Sequence, residues 1–154
     1  MELNLHVVLF EPQIPPNTGN IIRLTANVGC QLHLIHPLGF QWETKALRRA
    51  GLDYHQFVNI QHHDDFQSFK SQHNGRIFAI STQGKIAYSS IHFQHNDALL
   101  FGAETHGLSD EAKCEATDLL RIPMRPEQRS LNLSNSVALV LYEALRQHQF
   151  PKLI

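Results

Sequence analysis

Short apolar segments rich in β-branched and aromatic residues alternate along the chain with segments of helical periodicity. The strand-like segments are Leu5 to Phe10, Gln31 to His36, Phe57 to Ile60, Arg76 to Thr82, Ala98 to Phe101 and Leu119 to Ile122. The helical segments between them are Thr18 to Val28, Thr44 to Ala50, Asp64 to Gln72 and Ser109 to Ala116. Because strands and helices alternate, we predict an α/β fold with a parallel sheet flanked by helices.

A last helix is predicted from about Asn132 to His148, shortly before Pro151. Its apolar stripe contains Leu133, Val137, Val140, Leu141 and Ala144. A stripe of this width can face both the core and a partner. We find no repeat, low-complexity tract or linker, and we interpret Pro12 to Pro16 as a loop inside the domain. Residues 1–154 are therefore expected to form one domain.

Composition and charge limit the classes of function. A chain of 154 residues, 42% of them hydrophobic, is long enough to bury roughly two-thirds of its unfolded surface in one core. Lys and Arg number 13 against 14 Asp and Glu, so any nucleic-acid site must be a local patch. Cys30 and Cys114 lack metal-like spacing, and neither a signal peptide nor a membrane-length apolar run is present. We expect a soluble, reduced, cytoplasmic protein.

Three polar clusters follow strand-like segments, at the edge where open parallel sheets bind ligands. They are Glu11 to Asn20, Gly102 to Gly107 and Pro123 to Asn135. The densest polar run is Arg129 to Ala138, which leads directly into the last helix. Its hydroxyls and amides exceed what capping one helix requires, so we predict a ligand at this helix N-terminus. All three clusters are expected to meet at one site.

The first two clusters each allow an ordinary structural interpretation. Asn17 or Thr18 would serve as a helix N-cap, although capping does not explain Arg23, which needs an acidic or phosphate partner in a mostly apolar helix. Gly102 and Gly107 permit a close backbone approach beside the carboxylate of Glu104, and a plain strand-to-helix turn is the alternative. Each cluster alone leaves both interpretations open.

Several familiar sites are missing from the sequence. There is no dinucleotide-binding Gly-x-Gly-x-x-Gly, no P-loop, no Gly-x-Ser-x-Gly and no His-Glu-x-x-His. The eleven histidines, His33, His36, His62 and His63 among them, lack metal-ligand spacing, so we expect no metal site.

Two groups of basic residues lie near the polar clusters. One is Lys45, Arg48 and Arg49, and the other is Arg121, Arg125 and Arg129. Solvated surface charge and contacts to an RNA phosphate backbone remain alternatives for both groups.

Three motifs occur in order along the chain: Asn-Thr-Gly-Asn-Ile-x-Arg, Leu-Phe-Gly-x-Glu-x-x-Gly, and Ile-Pro-Met followed by Ser-Leu-Asn-Leu-Ser-Asn-Ser-Val-Ala. Together with the stretch Leu47 to His55, they resemble the SPOUT superfamily of RNA 2′-O-ribose methyltransferases. The chain is most similar to short tRNA (cytidine/uridine-2′-O-)-methyltransferases, which act on the wobble nucleotide, position 34, of leucine tRNAs. The resemblance implies a SPOUT (α/β knot) fold whose C-terminal trefoil knot is built from the segments after Ala98 and Ile122.

The resemblance also implies S-adenosyl-L-methionine as methyl donor, tRNA as substrate and a homodimer formed through the first and last helices. In agreement with the missing metal-ligand spacing and membrane-length run, we expect no metal cofactor and no membrane partner. The positions implied for donor binding are Ile80, Gly102, Ile122, Ser130 and Leu131. Those implied for catalysis are Arg23, Asn17, Glu104, Ser130 and Asn132. For RNA binding we expect Lys45, Arg48, Arg49, Arg129 and Tyr142. Tyr142 matches a position linked to RNA binding or the dimer face, and an ordinary core tyrosine is the alternative.

The resemblance assigns Arg23 to catalysis, and the chemistry of its guanidinium limits what it can do there. A guanidinium is a poor proton acceptor, so we expect it to clamp a phosphate and stabilise alkoxide charge. The chain departs from the usual motifs at Ala103, His106 and Leu131, which stand where Pro, Arg and Met are common. Another tRNA position, ribosomal RNA or a non-catalytic RNA-binding role remain alternative functions.

Overall fold

The computed structural model describes residues 2–49, 51–52 and 59–154, and its strands form one sheet. The strands are β1 (His6–Phe10), β2 (Gln31–Ile35), β3 (Ile60–His63), β4 (Ile77–Ile80), β5 (Ile86–Ala87), β6 (Ala98–Phe101) and β7 (Asp118–Arg121). Every pairing is parallel, and the strand order is β3-β2-β1-β6-β4-β7-β5. The predicted α/β fold with a parallel sheet is confirmed.

Five α-helices connect or cover these strands in the described residues. They are α1 (Pro15–Val28), α2 (Thr44–Arg49), α3 (Phe66–Gln72), α4 (Asp110–Glu115) and α5 (Leu133–Gln147). The side chains of Asp65 and Ser109 cap α3 and α4 by accepting hydrogen bonds from the main chain. None of these helices is long and apolar enough to span a membrane.

The start of the first helix differs from the prediction. Helix α1 begins at Pro15 rather than Thr18, because prolines fit a first helical turn, where the missing N–H has no partner to lose. The segment Pro12 to Pro16 is therefore only partly a loop. Ile14 is the N-cap residue, so neither Asn17 nor Thr18 caps α1.

Most strands lie within one or two residues of their predicted bounds, and two depart further from the prediction. The third strand begins at Ile60, where the predicted segment Phe57 to Ile60 ends, and residues 53–58 lie outside the described part of the chain. Ala50 also lies outside the described residues, as do the last three positions of the stretch Leu47 to His55. Strand β5 has two residues and no periodicity of its own, so only its pairing with β7 reveals it.

Apolar side chains cover both faces of the sheet. Val7 and Leu9 pack on the side of α1 and α5, whereas Val8 and Phe10 face the side of α3 and α4. Residues 98–101 are all buried, as expected for a strand enclosed on both faces. The predicted stripe of the last helix is buried along its length, including Val140 and Leu141.

The connection between β4 and β5 crosses over β7, because β7 lies between these two strands. The Ser81 N–H donates to the Leu120 carbonyl at 2.9 Å. A Cβ atom on Gly84 would lie 2.6 Å from the carbonyl carbon of Leu120, so this crossing requires glycine. The crossing brings the residues that follow β4 beside those that follow β7.

The histidines on three adjacent strands form a chain of hydrogen bonds under α3. His33 Nε2 lies 2.9 Å from His6 Nδ1, and His33 Nδ1 lies 2.9 Å from His63 Nε2. His33 is 5% exposed, and burial, reinforced by the neighbouring histidines, lowers its pKa to about 3. These rings bond to one another instead of converging on one point, and no cluster of three or more potential metal ligands exists among the described residues.

Candidate active site

A cavity of about 550 Å³ opens at the carboxyl edge of the sheet. Its walls come from the segments after β1, β6, β4 and β7, which are four consecutive strands in the sheet order. This adjacency explains why the three polar clusters meet there, as predicted. The residues expected to bind the donor all line this cavity: Ile80, Gly102, Ile122, Ser130 and Leu131.

Glu104 joins the second polar cluster to the first. Its two carboxylate oxygens accept hydrogen bonds from the main-chain N–H groups of Gln13, at 2.9 Å, and Ile14, at 2.8 Å. The Asn17 side-chain amide also donates to Glu104, at 3.3 Å. Because Ile14 has no capping side chain, a carboxylate from another loop supplies the acceptors and the negative charge at the start of α1.

Asn132 joins the third cluster to the first. Its Nδ2 donates to Oδ1 of Asn17 at 3.1 Å, while its own Oδ1 caps α5 by accepting from the N–H groups of Ser134 and Asn135, at 2.9 and 3.3 Å. The Ser134 hydroxyl donates to the same oxygen at 2.6 Å. Much of the polar capacity of this segment is therefore used in the cap, whereas Ser130 remains in the cavity wall.

The backbone at Gly102 approaches the facing part of its own loop very closely. A Cβ atom there would lie 2.5 Å from the Gly107 carbonyl carbon and 2.7 Å from the Leu108 nitrogen. Ala103 and Gly107 exchange two main-chain hydrogen bonds, of 3.2 and 2.9 Å. The predicted close approach is therefore present, and it forms part of the cavity wall.

Arg23 lies outside the cavity lining of its own chain. It is exposed on α1, and its Nη2 donates to the Gly51 carbonyl at 3.1 Å. This bond is one contact of the guanidinium, and the acidic or phosphate partner expected from the sequence stays a prediction. Lys45, Arg48 and Arg49 are exposed on α2, which ends two residues before Gly51.

The remaining residues predicted to bind RNA occupy two different places. Arg129 is exposed and lines the cavity. Tyr142 lies on α5 and is 42% exposed. Leu139, on the same helix, is 43% exposed. Its ring centroid is 6.3 Å from that of Phe150. The alternative of an ordinary core tyrosine is therefore wrong.

Several lining residues carry polar groups that the sequence interpretation did not include as site residues, among them Thr105, His106 and Lys113. Gln13 Nε2 donates to His106 Nδ1 at 3.2 Å, and His106 Nε2 lies 3.9 Å from the Glu11 carboxylate. Thr105 bonds to the Gln13 side chain, and Lys113 reaches the wall from α4. Lys113 belongs to no motif, so only tertiary packing could reveal it.

Comparison with known proteins places this geometry in a family. A model of the SpoU rRNA Methylase family matches residues 4–142. A tRNA (cytidine(34)-2′-O)-methyltransferase of Yersinia pestis is 56% identical over 155 residues, which cover 96% of both chains. The enzyme of the same name from Escherichia coli strain K12 is 51% identical over 150 residues, again covering 96% of both chains.

Solved structures share the fold. One from work on the 2-OH methylation of C/U34 on tRNA has a TM-score of 0.88 and 42% identity, and the match covers 96% of this chain and 97% of that chain. The AdoMet-bound rRNA methyltransferase of Sinorhizobium meliloti has a TM-score of 0.82 and 26% identity, over 95% of this chain and 57% of that chain. With the family match spanning the sheet, the cavity loops and most of α5, the chain belongs to the SpoU rRNA methylase family.

Proposed function

We propose that this chain transfers a methyl group from S-adenosylmethionine to the ribose 2′-hydroxyl of nucleotide 34 in tRNA. The observation that carries the proposal is the cavity in which Glu104, Asn17 and Asn132 join three motif segments through hydrogen bonds. Relatives named for cytidine 34 match nearly the whole chain and support the choice of nucleotide. The AdoMet-bound relative with the same fold supports the choice of donor.

The finer substrate proposal is a cytidine or modified uridine at the wobble position of leucine tRNAs, in the cytoplasm. It rests on the likeness of the three motifs rather than on a base-reading contact. The exposed cations Lys45, Arg48, Arg49 and Arg129 are proposed to bind the phosphate backbone of the RNA.

The donor is proposed to bind along Ile80, Gly102, Ile122, Ser130 and Leu131. A volume of about 550 Å³ lies in the usual range for small-molecule sites, and the apolar side chains of Ile80 and Ile122 suit one face of an adenine ring. When bound, S-adenosylmethionine supplies an electrophilic methyl group. The residues of the chain orient that group toward the ribose and exclude water from it.

Arg23 is proposed to clamp the phosphate beside the target ribose and to stabilise the charge that develops on the 2′-oxygen. A phosphate oxygen, a carboxylate or water takes the 2′-hydroxyl proton, because a guanidinium is a poor acceptor. Since Arg23 does not line the cavity of its own chain, we propose that it acts on the cavity of a partner subunit.

The proposed partner is a second copy of this chain, bound through α1 and α5. Leu139, Tyr142 and Phe150 expose apolar surface on and just after α5, and such a patch supports an isologous interface. We further propose that the crossing of the β4–β5 connection over β7 belongs to a trefoil knot, which the resemblance implies near the C-terminus.

The direct test uses tRNA from a strain that lacks this protein, incubated with the protein and S-adenosylmethionine labelled in its methyl group. We expect label on the 2′-oxygen of nucleotide 34 in leucine tRNAs. Label elsewhere in tRNA or in ribosomal RNA would overturn the substrate, and donor binding without any transfer would favour a non-catalytic RNA-binding role.

A mixing experiment tests the shared site. Arg23→Ala and Asn132→Ala chains carry different tags, are co-expressed, and the mixed dimers are isolated. Each variant alone is expected to be inactive, whereas a mixed dimer keeps one intact site and about half of the wild-type activity. No recovery in mixed dimers that bind the donor normally would place the action of Arg23 within its own chain.

A further inference from the structure

Lys113 is a cation on the cavity wall. Its contacts with the described residues use only part of the hydrogen-bonding capacity of its ammonium group. Its side chain is 21% exposed, so most of it is enclosed. The ammonium donates to Oε1 of Gln83 at 3.1 Å, and its nearest carboxylate, that of the fully exposed Asp110, is 3.7 Å away. An ammonium carries three donors, and one neutral hydrogen bond with one long ion pair leaves capacity for another acceptor.

The acidic group on the same wall does not neutralise this cation. Glu104 lines the cavity, but its oxygens accept from the main chain of Gln13 and Ile14. Arg129 adds a second cation to the lining, and it is exposed. The charges of the wall therefore favour a ligand with a negatively charged group.

The two cations differ in burial, and this difference decides which kind of ligand can reach each of them. An RNA phosphate belongs to a polymer and reaches an exposed guanidinium such as Arg129 more easily than a mostly enclosed ammonium. A small molecule inside the cavity can meet Lys113 directly. The negatively charged group of S-adenosylmethionine is its amino-acid carboxylate, and a lysine ammonium binds such an oxygen as a point charge.

We propose that Lys113, held by Gln83 of the β4–β5 connection, binds the carboxylate of the methyl donor and thereby selects donors that carry it. This inference rests on the proposed function, because it assigns a residue to the proposed donor cavity. Lys113 is a binding residue in this scheme, since it touches the donor away from the reacting methyl group.

The test compares S-adenosylmethionine with decarboxylated S-adenosylmethionine, which differs in the carboxylate alone, by calorimetry on the full chain. Lys113→Met keeps the aliphatic stem and removes the charge. We expect the affinity for S-adenosylmethionine to fall about tenfold, as for one charged hydrogen bond, with less than a twofold change for the decarboxylated donor. Lys113→Arg should restore the preference, and Lys85→Met, on the same connection outside the cavity lining, should match the wild type.

Equal losses for the two donors, or no loss for either, would overturn the role of Lys113 while leaving the proposed donor site intact. A fall in tRNA affinity without a change in donor preference would identify Lys113 as a phosphate contact and would also overturn it. If the wild-type protein binds neither donor, the proposed function itself fails and the role of Lys113 falls with it. Thermal unfolding of each variant identifies any loss that comes from misfolding.

Discussion

Replacing Glu104 by glutamine tests whether one carboxylate holds the start of α1 in place. Glutamine keeps one acceptor oxygen and puts an NH₂ group against a main-chain N–H, so at least one charged hydrogen bond is lost. Such a bond contributes about 1.5–3 kcal/mol, and the charge at a helix N-terminus adds about 0.3–1 kcal/mol. Because water can reach the Ile14 N–H, the lower ends apply, and we expect Glu104→Gln to lower the free energy of unfolding by about 2 kcal/mol.

Urea unfolding followed by the fluorescence of Trp42, the single tryptophan, measures this change. Glu11→Gln is the matched control, since its carboxylate lies on the same loop as Gln13 and Ile14 and its nearest partner, the His106 ring, is 3.9 Å away. We expect the control to stay within about 0.5 kcal/mol of the wild type. An equally small change for Glu104→Gln would refute the anchoring role.

The same variant separates positioning from chemistry. Asn17 bonds to both Glu104 and Asn132, so the loss of the carboxylate should disturb the cavity wall and lower donor affinity together with methyl transfer. Lost transfer with wild-type stability and donor affinity would show that Glu104 acts on the reaction itself.

Three further predictions follow from the site and the core. Asn132→Ala removes the cap of α5 and should lower the free energy of unfolding by about 1 kcal/mol, measured with urea against the exposed Asn135→Ala, which should lose less. Gly102→Ala places a methyl group 2.5 Å from main-chain atoms and should abolish donor binding in calorimetry, whereas Gly19→Ala, with its nearest neighbour at 3.8 Å, should retain it. Burial holds the pKa of His33 at about 3 against an ordinary 6.5. The contribution of the neutral His33 ring to the free energy of unfolding is therefore complete above pH 6.5 and is lost as the pH falls toward 3. When the pH is lowered from 7.5 to 5, the free energy of unfolding measured with urea should fall by about 2 kcal/mol less for His33→Gln than for the wild type. The variant His92→Gln, at an exposed position, should follow the wild type.

The helices and most strands could be predicted because their signals are local. The last helix was expected from Asn132 to His148 and runs over Leu133–Gln147, since an apolar stripe and a capping asparagine both lie in the segment itself. Strand Ala98–Phe101 has the predicted bounds because its continuous apolar run is enclosed on both faces. The start of α1 was missed because two prolines were interpreted as loop residues, although they fit a first helical turn.

Part of the cavity lining could be predicted from the motifs, but the hydrogen bonds that join its residues could not. The motifs identified Asn17, Glu104 and Asn132, and all three line the cavity. Their hydrogen bonds could not be predicted, because they depend on loops about 90 to 115 residues apart in the chain. Lys113 was missed for a similar reason, since a lysine on a six-residue helix has no pattern that distinguishes it from surface charge.

By itself, the sequence determined the α/β class, the parallel sheet and the three polar clusters, because periodicity, caps and turn residues act over a few neighbouring positions. Only the tertiary structure decided the strand order β6-β4-β7-β5, the crossing over β7 at Gly84 and the burial of His33. These features depend on which distant segments pack together, and no short pattern encodes that choice. The cavity results from both levels: local signals end each strand in polar residues, and the strand order brings four of those ends together.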